Sequence, residues 1–402
     1  QAIEDIERTA GDASVIKLVN QIMVEAIQSR ATDIHIEPYR DSVKVRYRID
    51  GLLYDASTPS DMKYLHSAIV SRIKIISNLD VVERRLPQDG RAKIKIGEKE
   101  IDLRISILPS LYGENVVIRI LPTQLLLNLK DLGFLPKDLE KIEVLIKKPH
   151  GIIFLTGPTG SGKTTTLYAC LSHINLPGVK IITIEDPVEY ELMGVTQIQI
   201  NTKVGLSFAN ALRSILRHDP DIMMVGEVRD FETAELAIRT SLTGHLVFST
   251  LHTNDACSGV TRLLDVGIEP YLVASSVEVF IAQRLVRVIC PHCKERLAVS
   301  GERLAAKDFP KTENRKPITE SYHGKGCEAC KFTGYHGRTA IYEILFIDEP
   351  IRELILSKAS AVEIKKKAVS LGMKTLKDHG LEEVQKGRTT LEEILRVVEL
   401  EL

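Results

Sequence analysis

The chain contains no tryptophan, and aromatic residues make up only 5% of its 402 positions. That scarcity argues against a channel in which nucleic-acid bases stack on aromatic side chains. A charge excess of either sign is also missing: 53 Lys and Arg against 54 Asp and Glu leave a formal net charge of −1. No global field therefore attracts nucleic acid, and only a local basic groove would serve that purpose. No apolar run approaches the ~18 residues of a membrane-spanning helix, and no signal peptide opens the chain. Together these absences lead to the expectation of a cytoplasmic protein without nucleic-acid partners. The first residue is Gln1 rather than Met, as in a chain that begins past its native start. Internal repeats and low-complexity segments are absent too. Cysteine is sparse, with six in all. Cys170 and Cys257 stand alone and read as ordinary buried thiols.

What is present divides the chain into five expected regions. Residues 1–122 read as a small α/β domain. Val15, Leu18, Val19, Ile22, Met23, Ala26 and Ile27 recur at helical spacing. Val43, Val45, Tyr47 and Ile49 alternate with basic residues, and Asp50-Gly51 then gives a strong hairpin signal. A second amphipathic helix is predicted over 61–77 and further strands over 91–121, around Gly97 and Gly113. Residues 123–148, rich in Leu and Lys with Gly133 and Pro136 as breakers, read as a linker containing one short helix. Residues 149–289 alternate short apolar runs with helices, the pattern of a parallel sheet. Residues 290–335 hold the cysteine pairs and a polar insert, and 336–402 read as a helical subdomain without legible chemistry.

Gly157-Pro158-Thr159-Gly160-Ser161-Gly162-Lys163-Thr164 matches the P-loop pattern, preceded by the apolar strand Ile152-Ile153-Phe154-Leu155 and followed by a helix from Thr165. Glycines at these positions let backbone N–H groups curl around phosphates, and the helix N-terminus adds its dipole. ATP and Mg²⁺ are the expected ligands. Lys163 is expected to reach the β- and γ-phosphates and Thr164 to place its hydroxyl on Mg²⁺. Three further apolar runs end in polar residues: 181–184 before Glu185 and Asp186, 222–225 before Gly226 and Glu227, and 246–250 before His252. Strand carboxyl ends are where open α/β sheets bind ligands, so these groups are expected to converge on the P-loop. There they would hold Mg²⁺, orient water and sense the γ-phosphate. Glu185 is expected to be the general base, and Glu227 to help order Mg²⁺ and water. A helix cap or a turn before Pro187 at Glu185 and Asp186, a surface ion pair between Glu227 and Arg229 and a structural role for His252 remain open. The usual strand-ending Asp that holds Mg²⁺ is replaced here by Gly226 or Glu227, so which carboxylate orders the metal also stays open.

Cys290-Pro291-His292-Cys293 and Cys327-Glu328-Ala329-Cys330 form a C-x-x-C…C-x-x-C array. Four thiolates at this spacing predict a tetrahedral structural Zn²⁺ site, with no position left open for catalysis. A redox pair or unrelated reduced thiols are the alternatives.

The P-loop together with Glu185-Asp186-Pro187-Val188-Glu189-Tyr190, Asp219-Pro220-Asp221, Val225-Gly226-Glu227-Val228-Arg229-Asp230 and Ser249-Thr250-Leu251-His252-Thr253-Asn254-Asp255-Ala256 resembles the type II secretion and type IV pilus assembly ATPase family. Asp33-Ile34-His35-Ile36-Glu37-Pro38 and Pro87-Gln88-Asp89-Gly90-Arg91 extend the resemblance over nearly the whole chain. It implies an α/β fold with a RecA-like ATPase domain, a PAS-like N-terminal domain and a tetracysteine zinc subdomain. It also implies a homo-hexameric ring at the cytoplasmic face of the inner membrane, held there peripherally by secretion or pilus platform proteins. Within the family's Walker A, Asp box, atypical Walker B and His box motifs, it assigns Glu185, Asp186, Glu227 and His252 to the site, with the nucleotide held by 157–164 and Thr165. Arginines of the N-terminal domain reach the nucleotide in this family; the matching positions are Arg104 and Arg119, each of which also reads as a solvated strand residue. The family's first helical domain, which docks on the platform, is expected to lie before residue 1. The cysteine module is similar to that of assembly and secretion members rather than pilus retraction members, and the segments 270–276 and 282–287 look more like type II secretion than pilus members.

Overall fold

The computed structural model describes residues 4–5, 14–59, 62–121, 128–297 and 321–398, and the chain divides into two units, 1–125 and 126–402. Most of the polar insert expected between the cysteine pairs falls in 298–320, outside the described residues.

In the first unit, strands β1 (Glu4–Asp5), β2 (Ala31–Pro38), β3 (Val43–Ile49), β4 (Leu52–Asp55), β5 (Gln88–Ile96), β6 (Lys99–Ser110) and β7 (Gly113–Leu121) form one sheet in the order β1-β5-β6-β7-β2-β3-β4. The β3–β4 turn is two residues long, with φ of 49° at Asp50 and 90° at Gly51, the doubly positive backbone that matches the twist of a tight hairpin. Helices α1 (Ser14–Gln28) and α2 (Met62–Ile76) bury Ile22, Met23, Ile69 and Ile73 against Ile34, Val45, Ile105 and Ile118. Alternation along each strand leaves the other face polar. Register across that face sets Arg91 beside Arg104, Arg104 beside Arg119, Arg119 beside Asp33 and Asp33 beside Arg48.

The second unit opens with α3 (Pro136–Leu145), then β8 (Gly151–Thr156), α4 (Lys163–Ile174), β9 (Ile181–Glu185), β10 (Thr196–Gln199), α5 (Phe208–Ile215), β11 (Ile222–Val225), α6 (Phe231–Leu242), β12 (Leu246–Leu251), α7 (Cys257–Val266), α8 (Pro270–Ser276) and β13 (Val277–Ile289). A short ribbon, β14 (Lys294–Leu297) with β15 (Ser321–Gly324), precedes β16 (Tyr335–Phe346) and helices α9 (Glu349–Leu356), α10 (Ala361–Ser370), α11 (Leu376–Gln385) and α12 (Leu391–Val398). The main sheet runs β10-β9-β11-β12-β8-β13-β16, parallel throughout except for the β13–β16 pair. Every residue of β8, β9, β11 and β12 is buried, as expected for parallel strands covered on both faces. After β8 the chain steps outward to β9 and returns through β11 and β12, and β13 then joins the opposite side. The carboxyl end of β8 is therefore a topological switch point, where the fold leaves a crevice.

Two expected boundaries change. Leu129, Leu132, Phe134, Ile142 and Ile146, in the segment read as a linker, are buried against Ile153 and Leu155 of β8. Phe134 stacks on Tyr342 with ring centroids 4.0 Å apart, and the Tyr342 hydroxyl donates to the Leu132 carbonyl at 2.9 Å. Over its described residues, this segment is part of the second unit's core; Gly133 and Pro136 shape a turn and a helix start within it. The core expected over 149–289 also takes β16 from beyond the cysteine pairs, and Ile351, Ile364, Leu376 and Ile394 of the C-terminal helices share one hydrophobic cluster with β8, β11 and β12.

Candidate active site and metal centre

Between the end of β8 and the start of α4, the backbone turns through three glycines of positive φ: 145° at Gly157, 80° at Gly160 and 89° at Gly162. Two of them also lack room for a side chain. A Cβ at Gly157 would lie 2.7 Å from the Gln283 carbonyl oxygen, and one at Gly162 the same 2.7 Å from Gln283 Nε2. Gln283 in turn accepts from Thr166 of α4 at 2.8 Å. β13 thus props the loop from behind, a role the sequence reading did not give it. Ser161 Oγ is buried without a partner, so the loop carries a polar atom that a ligand would satisfy. Thr164 and Thr165 stand half-buried on the first turn of α4.

Lys163 Nζ donates to the carbonyls of Gly157 at 2.6 Å and Pro158 at 3.0 Å. Burial pushes its pKa down to about 8, the neighbouring Arg284 charge adds to the effect, and Glu227 opposes it. Arg284 was not singled out as a site residue. It is 6% exposed, and donates to the carbonyls of Gln283 at 3.1 Å and Asn254 at 2.6 Å.

The polar strand ends differ in their surroundings. At the end of β11, Glu227 pairs with Arg229 at 2.6 Å and with His252 Nε2 at 3.2 Å. The structural and ion-pair readings of these two residues are thus partly realised, and the Glu227 charge also partly offsets the lowering of the Lys163 pKa. His252 itself is half exposed, and Asp186 is exposed. At the end of β9, Glu185 is 3% exposed. One of its oxygens accepts from Thr183 Oγ1 at 2.5 Å and Gln197 Nε2 at 3.1 Å, and the other accepts from the Tyr168 hydroxyl. Three of its roughly four acceptor positions are thus filled from within the protein, which leaves the general base expected here little freedom to turn toward water. Four residues on, Glu189 is half-buried, and its amide donates to Tyr168 Oη at 3.4 Å. It lies on the same loop and is less buried than Glu185, and the sequence reading passed over it as a candidate base.

In the first unit, Arg104 and Arg119 are direct cross-strand neighbours. Arg119 Nε donates to Asp33 Oδ1 at 3.0 Å, so part of its charge is already balanced, while its side chain remains more than half exposed.

The four cysteines meet where β13 and β16 begin to part. Their sulfurs all lie within 4.8 Å of one another. Cys290–Cys327 measures 3.9 Å, Cys293–Cys330 3.8 Å and Cys327–Cys330 3.7 Å. A disulfide would need ~2.05 Å, whereas sulfurs about 2.3 Å from a central zinc stand ~3.8 Å apart in a tetrahedron. Amides of Gly326, Cys327 and Gly334 donate to Cys293 or Cys330 sulfur at 3.2–3.3 Å, which favours thiolates. The donor set therefore fits zinc. His292 is exposed in the same turn.

A family described as Type II/IV secretion system protein matches residues 8–396. The Type IV pilus assembly ATPase PilB of Myxococcus xanthus is 49% identical over 395 residues, covering 98% of this chain and 69% of that protein. The Type II secretion system protein HxcR of Pseudomonas aeruginosa is 47% identical over 396 residues, covering 98% and 80%. The Type II secretion system ATPase E of Vibrio cholerae is 46% identical over 395 residues, covering 98% and 77%. Among solved structures, the pilus retraction motor PilT with bound ADP superposes with a TM-score of 0.60 at 27% identity, over 94% of this chain and 95% of that one. The ATPase DotB of Legionella pneumophila shares the fold, with a TM-score of 0.67 at 20% identity over 93% of each chain. With its P-loop at the sheet's switch point and these relatives spanning almost its full length, the chain belongs to the type II/IV secretion system protein family.

Proposed function

We propose that the chain is a motor ATPase that hydrolyses ATP to ADP and phosphate and drives pseudopilus assembly for protein export in type II secretion. The single observation that carries this is the meeting, at the end of β8, of a P-loop whose Lys163 is electrostatically tied to Glu227 with the Glu227–His252 pair at the ends of β11 and β12. In this reading residues 157–165 cradle the phosphates, Lys163 faces the β- and γ-phosphates, and Thr164 holds Mg²⁺. Mg²⁺ held there would supply neutralisation of the charge on the transferring phosphoryl group. Glu227 orients water and the metal's shell while His252 fixes the Glu227 carboxylate, and Asp186 lines the crevice. Glu185 acts by holding α4, β9 and β10 in register. Glu189, less buried on the same loop, is the second candidate for the base. Cys290, Cys293, Cys327 and Cys330 hold a structural Zn²⁺ that joins the ends of β13 and β16.

The PAS-like first unit, with Arg104 and Arg119 abreast, supplies cations to a developing γ-phosphate charge. Head-to-tail packing in a homo-hexamer brings one subunit's surface to the next subunit's site. Work is done at the cytoplasmic face of the inner membrane through platform proteins. A second reading, extension of a type IV pilus, is favoured by the similarity to PilB. Specific ATPase rate measured across dilution, alongside mass, tests the ring. It should rise as rings form and fall in Arg104→Ala or Arg119→Ala at near-constant ATP affinity; constant activity from monomer to oligomer with both variants fully active refutes it. Rescue of strains lacking either system's own ATPase separates export from pilus extension, and DNA-stimulated turnover would instead favour a nucleic-acid translocase.

A further inference from the structure

The helices after β16 carry no motif that the sequence connects to the nucleotide, yet one of their lysines is tied to the His252 loop. Glu343, in the middle of β16, is 1% exposed. Its Oε1 accepts from the Ala256 amide at 3.1 Å, and its Oε2 accepts from the Leu376 amide at 3.4 Å. Lys365 of α10 brings Nζ to 3.3 Å from the Glu343 carboxylate and 3.4 Å from Asp255 Oδ2. Asp255 Oδ1 accepts from the Ser258 amide at 2.7 Å, and its carbonyl accepts from Thr156 Oγ1 at 3.4 Å. Thr156 is the residue before Gly157, and the preceding carbonyl, of Asn254, is held by Arg284.

The segment 254–256 is therefore gripped from two sides. Thr156 and Arg284 hold it against the P-loop, and Glu343 and Lys365 hold it against the C-terminal helices. A carboxylate as buried as Glu343 is costly without a cation, and Lys365 is the cation within 4 Å of it among the described residues. Burial raises the Glu343 carboxyl's pKa and Lys365 pulls it back. Removing the lysine leaves Glu343 of β16 and Asp255 of the segment close together with no shared positive charge, so that Glu343 takes up a proton or the segment moves away from it.

We infer that Lys365, acting through Glu343 and Asp255, is a positioning residue for the nucleotide site that holds the 252–256 segment so that His252 stays opposite Glu227. This makes α10 part of the turnover machinery, so that displacement of the C-terminal helices alters hydrolysis. The inference rests on the ATPase reading above.

The test is steady-state ATPase of the assembled full chain. Lys365→Met should lower kcat roughly tenfold while KM for ATP stays within about threefold, since misplacing a group near the reacting centre costs rate more than ground-state binding. Lys365→Arg should retain most of the rate, and Lys366→Met, one residue along at an exposed position, should match the unaltered chain. In a His252→Ala background the Lys365→Met penalty should shrink to less than about twofold, because two changes acting through one segment are not additive. If Lys365→Met does not fold, Lys365→Gln, which keeps a donor and removes the charge, takes its place in every arm. A folded variant with normal kcat, or an undiminished penalty in the His252→Ala background, overturns the inference. Failure of the underlying ATPase reading looks different: no turnover in the unaltered chain, or turnover indifferent to Lys163→Ala.

Discussion

The ends of β9 and β11 occupy adjacent places in one parallel sheet, and each delivers a glutamate, yet the two carboxylates are held in opposite ways. Glu185 is sealed by Tyr168, Thr183 and Gln197. Glu227 faces Arg229, a half-exposed His252 and the field of Lys163. Strand-end position brings an acidic residue to the crevice, but its neighbours decide whether it does chemistry or structure. A carboxylate bonded by three donors in a buried site stabilises what it joins, and one whose partners are an exposed arginine and a half-exposed histidine is held less tightly.

The comparison is sharpened first by its reference point. Lys163→Ala should lower ATP hydrolysis by about 10²-fold or more with the fold intact, the order expected for loss of transition-state charge stabilisation; near-normal turnover would remove the P-loop from the mechanism. Glu227→Gln should approach the same loss, roughly 10²-fold in kcat, while ATP still binds. The same substitution at Glu185 should cost no more than a few-fold, because the amide keeps the side chain's size, its oxygen still accepts from Thr183 and Gln197, and its NH2 can donate to the Tyr168 hydroxyl. Single-turnover assays of Glu185→Gln, Glu189→Gln and Glu227→Gln side by side decide the matter, and a Glu185→Gln variant as dead as Lys163→Ala would break the contrast and restore Glu185 as the base.

The open crevice also titrates. Lys163 has a pKa of about 8 without nucleotide, and phosphate binding favours its charged form. Below that pH the ammonium is already in place; above it, binding must also take up a proton. ATP affinity should therefore weaken as pH rises through about 8, by up to tenfold per unit, and calorimetry in buffers of different ionisation enthalpy should record the proton uptake. Binding that does not change between pH 7 and 9.5 would contradict this.

The closed end should respond in stability. Tyr168→Phe deletes one donor to a buried carboxylate and should lower unfolding free energy by ~1–3 kcal/mol, seen as a lower Tm, with turnover changed less than in Glu227→Gln. The smallest effect on turnover is expected farthest away. Cys290→Ser with Cys293→Ser should release about one zinc per chain and expose amides of 290–297 and 321–335 to hydrogen exchange, leaving nucleotide binding intact. Metal analysis finding no zinc, with all thiols freely reactive, would assign the cysteines another purpose.

Much of this molecule can be read locally. The P-loop, the helical spacing of 15–27, the Asp50-Gly51 turn and the apolar runs that become β8, β9, β11 and β12 are statements about neighbouring residues, and backbone sterics and periodicity translate them directly. What local reading misses shares a different cause. Residues 129–146 looked like a linker because Gly133 and Pro136 interrupt the pattern, and they are buried by β8 and by Tyr342, which lies 210 residues beyond Leu132. The ATPase core seemed to stop at Ile289 because nothing in the text of the chain says that β16 will pair with β13. Glu185 resembled a base because it ends an apolar strand, and the donors that enclose it come from α4, β9 and β10.

Sequence alone determined which residues could bind phosphate, which could bind zinc and where most elements of the two units form, since each rests on residue type and short spacing. Only the tertiary structure decided which carboxylate is enclosed, that Gln283 and Arg284 of β13 support the loop, and that Lys365 of a remote helix grips the segment beside His252. Hydrogen bonds and ion pairs between distant strands and helices depend on register and packing, and these are settled when the whole core closes.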